Sequence, residues 1–99
     1  MIKINISQNF LVAKGHALFA EKGKDIVCAA ISGIIFGGVA WFEPDKIEFT
    51  ENKLVPSIAL KLIDPTPNVA VAFSVITVQL KAIANSYPNH IVINEESYE

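Results

Sequence analysis

Cys28 and His16 stand twelve residues apart in the first third of this 99-residue chain. Asp25 lies three residues before the cysteine and reads as a helix N-cap. Its carboxylate can accept a hydrogen bond from an N–H two or three positions on, and it complements the positive end of the dipole. Cys28 then falls in the first helical turn, where free N–H groups and the dipole favour a thiolate. The same N–H groups could hold an oxyanion. A cysteine nucleophile also wants an imidazole, first as base and then as acid. His16 ends the preceding strand and is separated from Cys28 by one connection. If that connection folds back, sulfur and imidazole meet, and the connection becomes a candidate lid. The chemistry this predicts is acyl transfer through a thioester. Read alone, each residue has a plainer role. Free cysteine is among the most buried residue types, so Cys28 also fits an inert core position. His16 fits a surface loop, Asp25 a cap and nothing more. Ser32, one turn beyond Cys28 on the same face, fits a packing residue bonded to its own helix backbone. His90 opens the last strand after Pro88-Asn89 and reads as exposed.

The elements that must position these residues follow from periodicity. Ile2, Ile4 and Ile6 alternate with polar neighbours, which predicts a half-buried strand. Phe10 to Lys14 predicts a second, hairpinned to the first across Ser7-Gln8-Asn9 and ended by Gly15. Gly15 to Lys24 reads as a loop whose middle, Ala17 to Lys22, could make a helical turn. The first helix runs from Asp25 to about Phe42. It is apolar nearly all round, so cover on more than one side is expected. Its glycines Gly33, Gly37 and Gly38 each cost roughly 1 kcal/mol of helix propensity, which suggests that packing demands them. The aromatics Phe36, Trp41 and Phe42 read as core or dimer contacts. Ile47 and Phe49, then Ile58, Leu60 and Leu62, predict two further strands. Thr66 caps a second helix with Pro67 at its first position. Its stripe is Val69, Phe73, Ile76, Leu80 and Ile83, and it ends near Tyr87. Ile91 and Ile93 make a last strand before an acidic tail. The order ββαββαβ predicts one α+β domain over 1–99: a mixed, mostly antiparallel sheet with two helices.

Composition narrows the function classes. Hydrophobic residues are 52% and charged residues 18%, which excludes intrinsic disorder. Net charge is −2 and all eight basic residues are lysine, a poor start for reading nucleic acid, which leans on arginine. One cysteine excludes an intramolecular disulfide or a CxxC site, and with two histidines it argues against structural zinc. No metal and no cofactor are expected. The alternating N-terminus is unlike a signal peptide. Ile26 to Phe42 is seventeen uncharged residues, about 26 Å as a helix and short of the ~30 Å bilayer core. The expectation is a core helix, no membrane, and a cytoplasmic protein. An all-round apolar helix on so small a domain also suggests a homodimer.

Two adjoining strings sharpen the reading. Gly15-His16-Ala17 followed by Gly23-Lys24-Asp25-Ile26-Val27-Cys28-Ala29-Ala30-Ile31-Ser32 resembles the ribosomal-processing cysteine protease (Prp) family. The resemblance extends in length and element order over essentially the whole chain. It implies that Cys28 is a nucleophile and His16 its base, with Asp25 and Ser32 at the family's Asp and Ser positions. It further implies a small cytoplasmic homodimer with a mobile loop between His and Cys. The implied substrate is the N-terminal extension of the precursor of large-subunit ribosomal protein L twenty-seven. A glycine-free Ser7-Gln8-Asn9 turn and Gly33-Ile34 in place of an Ala-Leu type pair depart from the pattern. Both lie away from Cys28 and His16 and bear on cleft shape. Two rival readings keep the fold without the peptidase: a non-catalytic ribosome-associated binding domain, or a redox-sensing thiol protein.

Overall fold

The computed structural model describes residues 1–16, 20, 21 and 24–96. The expectations for the loop over 17–24 and for the tail fall largely on residues 17–19, 22, 23 and 97–99, outside the described residues. Alternation in Ile2–Ile6 (β1) puts Ile2, Ile4 and Ile6 on one buried face. Phe10–Lys14 (β2) returns antiparallel, with Ile4 opposite Ala13 and Ile6 opposite Leu11. Ile47–Asn52 (β3) and Ser57–Leu62 (β4) form a second hairpin, and β4 pairs antiparallel with β2. Ile91–Glu95 (β5) lies parallel to β1. The sheet order is β3-β4-β2-β1-β5, and two helices complete the expected α+β order.

Both helices contribute to one core against the sheet. Ile26–Val39 (α1) gives Val27, Ile31 and Ile35, and Pro67–Ser86 (α2) gives Val69, Phe73, Ile76 and Leu80. They meet Ile4, Leu11 and Leu60, all fully buried. Thr66 caps α2 as expected, its hydroxyl oxygen accepting from the Val69 N–H at 3.4 Å. The opposite sheet face presents Lys3, Lys14 and Lys61 to solvent.

Three features of α1 differ from expectation. The helix stops at Val39 because the chain tightens: the N–H groups of Trp41 and Phe42 donate to the carbonyls of Gly38 and Val39. That turn tucks Phe42 into the core and leaves Trp41 outside. Second, the sheet and α2 cover α1 only in part, and the face with Ile26, Ala29, Gly33 and Gly37 stays exposed, Ile26 by 55%. Third, only one of its glycines meets a neighbour. A Cβ at Gly38 would lie 2.5 Å from Cδ1 of Ile76, so α1 and α2 approach too closely there for a side chain. Gly33 and Gly37 face open space within this chain.

Candidate active site

Gly15 sets where His16 stands. Its φ of +95° turns the chain out of β2, and an added Cβ would lie 2.6 Å from the Met1 carbonyl oxygen. Glycine alone adopts this conformation without steric cost. The Gly15 N–H donates to the carbonyl of Pro56 at 3.0 Å, tying the strand end to the turn between β3 and β4. His16 follows at once and is exposed.

Asp25 is the cap of α1. Its Oδ1 accepts from the N–H groups of Val27 and Cys28, each at 3.0 Å. Its Oδ2 accepts from the Ala20 N–H at 3.4 Å, which draws the preceding connection back onto the helix start. Cys28 is half-buried in the first turn. One expectation is corrected here. The N–H groups of Val27 and Cys28 are not open to an oxyanion, because the Asp25 carboxylate already accepts from both. A cap satisfies donors that the helix geometry would otherwise orphan. What the cap gives the site is a fixed first turn, and so a fixed sulfur.

The two chemical groups share a cleft of about 370 Å³. One wall is the α1 face bearing Cys28, Ile31, Ser32 and Phe36; His16, Gly15, Ile2 and Ala13 also line the cleft. The other wall comes from the β3–β4 hairpin: Glu51, Asn52, Lys53, Pro56, Ser57 and Ile58. Asn52 stiffens that hairpin, its side-chain oxygen accepting from the N–H groups of Leu54 and Val55 at 2.9 and 3.1 Å. His90 sits in the turn before β5, half-buried, and does not line the cleft. Among the described residues, no cluster of His, Cys, Asp or Glu could hold a metal ion.

Sequence reasoning missed the far wall and Phe36. The hairpin joins the site through β2–β4 pairing, which no local pattern reveals. Phe36, read as a core or dimer residue, is 39% exposed and lines the cleft. Its signal was present: Cys28, Ile31, Ser32 and Phe36 fall at i, i+3, i+4 and i+8, one helical face.

Residues 1–92 match the family model described as cysteine protease Prp. The chain belongs to the Prp family. It is a cysteine protease. The ribosomal processing cysteine protease Prp of Mycoplasma pneumoniae is 50% identical over 96 residues, 97% of this chain and 96% of that protein. A Bacillus subtilis Prp is 50% identical over a shorter stretch of 36 residues, 30% of this chain and 32% of that one. The fold matches the crystal structure of the ribosomal processing protease Prp from S. aureus with a covalently linked product peptide. The TM-score is 0.86 at 23% identity, covering 97% of this chain and 100% of that one.

Proposed function

We propose that this Prp-family protease removes the short N-terminal extension from the precursor of large-subunit ribosomal protein L twenty-seven, through a Cys28–His16 dyad. The observation that carries the reading is the shared cleft: the chain's one cysteine and an exposed histidine line it together. A cysteine protease needs a thiol, and Cys28 is the sole candidate. His16 takes the thiol proton, and Sγ attacks the scissile carbonyl carbon. The C–N bond breaks as His16 returns the proton to the leaving amine. Water then hydrolyses the thioester, with His16 again as base. Asp25 and Ser32 act as supports, Asp25 by fixing the first turn of α1 and Ser32 from the cleft wall.

The substrate is an extended peptide lying between α1 and the β3–β4 hairpin. Crystal structures of S. aureus Prp hold a substrate peptide or a covalently linked product peptide, which supports a peptide substrate. β3 is an edge strand and its end lines the groove, so its main chain can bond to an added strand. The site of action is the cytoplasm, where a lone thiol stays reduced.

The enzyme acts as a homodimer through its helical layer. α1 carries no charged residue, and α2 carries only Lys81, which is ion-paired with Glu95. Val71, Val75 and Val78 are exposed on α2 at i, i+4 and i+7, and the open small residues Gly33 and Gly37 of α1 line a shallow groove with Gln79 and Ile83 of α2. Exposed apolar area on this scale marks a protein or membrane contact. A second copy of this chain covers it in our reading.

The test is incubation of the precursor with the parent enzyme and with Cys28→Ser, read by mass. The parent is expected to release the extension, and the variant to bind the precursor uncut. Cleavage by Cys28→Ser at the parental rate would overturn the nucleophile, and an untouched precursor with folded parent enzyme would overturn the substrate.

A further inference from the structure

Phe36 lies eight residues beyond Cys28 on the same face of α1, and both line one cleft. At 1.5 Å per residue the two positions are about 12 Å apart along the helix. An extended peptide advances about 3.3 Å per residue, so that span corresponds to three or four substrate residues. The wall between them offers only the small hydroxyl of half-buried Ser32 and the edge of buried Ile31. Opposite stand the polar Glu51 and Lys53. Phe36 is a large apolar surface in the groove, 39% exposed, with smaller apolar contributions from Pro56 and Ile58 on the hairpin wall. Its ring is held in place: the Phe49 ring meets it edge-on, 5.5 Å between centroids and 82° between planes. A fixed aromatic needs little reordering when a ligand arrives.

We infer that Phe36 is a specificity-determining residue, forming an apolar subsite for the substrate side chain three or four residues from the scissile bond. The inference deepens the peptidase reading and rests on Cys28 as the nucleophile. An aliphatic side chain packed on an apolar wall discriminates against alanine by about tenfold or more.

The experiment uses a set of peptides with one cleavable bond. In each, a single alanine is exchanged for leucine at one position, from four residues before the bond to four after it. kcat/KM is measured for the parent, F36A and F36L, with folding checked by circular dichroism. The parent is expected to gain about tenfold from leucine at one position, three or four residues from the bond. In F36A that gain should fall below twofold, while F36L keeps most of it. The inference is overturned if the gain survives in F36A, if F36A lowers every peptide alike, or if the position whose gain F36A removes adjoins the bond. Failure of the parent to cut any peptide, while remaining folded, takes down the peptidase reading instead.

Discussion

Replacing Gly15 by alanine forces a side chain into a left-handed backbone position against the Met1 carbonyl oxygen. Gly15→Ala is expected to lose more than about 1 kcal/mol of stability, read from the denaturant midpoint. It should also lose activity at temperatures where it is fully folded, because His16 is the next residue. His16→Ala is expected to lower kcat by about 10²- to 10⁴-fold. A loss of tenfold or less on the precursor would point to another base. The residues of this site were legible to different degrees. Asp25 and Cys28 could be read from local chemistry, because a cap acts within three residues. Gly15 was legible only as a strand end. Its close approach to Met1 arises from pairing of β1 with β2, which sequence spacing does not encode. At the Val27 and Cys28 N–H groups the oxyanion expectation failed for a physical reason within the same motif. A carboxylate good enough to cap the helix is good enough to consume the donors.

At the scale of elements, the first turn of α1 is the joint between fold and chemistry. Asp25→Ala removes the acceptor for two N–H groups and should cost roughly 1 kcal/mol, within about 0.5–2. In a domain this size that is a fall of about 4–8 °C in Tm for each kcal/mol. Asp25→Ser keeps a hydroxyl acceptor and is expected to recover most of the loss in the same thermal scan. The strands and α2 were legible because each has a clean period: two for Ile2, Ile4 and Ile6, and helical for Val69, Phe73, Ile76 and Leu80. α1 has no such contrast, since almost every position is apolar or small. Its buried side and its end at Val39 therefore depended on what packs against it. The tightened turn after Val39 accompanies the burial of Phe42. The hairpin wall of the cleft was hidden for a related reason, because β3 and β4 are drawn to the site through β2.

For the whole molecule, the apolar helical layer is the unbalanced feature. Sedimentation should give about twice the 10.8 kDa chain mass at micromolar concentration. Val75→Glu places a charge in the centre of the valine stripe and should shift the particle to one chain mass with its circular dichroism intact. Persistence of the larger mass in Val75→Glu would move the interface elsewhere. The topology carries a further consequence for how the molecule is made. β1 pairs along one side with its hairpin neighbour and along the other with β5, so Ile2 meets Ile91. Synthesis delivers the first partner within seconds and the second only after both helices, β3 and β4 have been made, at about 5–20 residues per second. Until then a row of main-chain donors and acceptors on β1 lies bare on a nascent polypeptide still threaded through the translation machinery. Long-range pairing of this kind is also slow to form. Shielding that strand by an early-binding chaperone, or leaving it open to mispairing between neighbouring nascent chains, would set the yield of active enzyme.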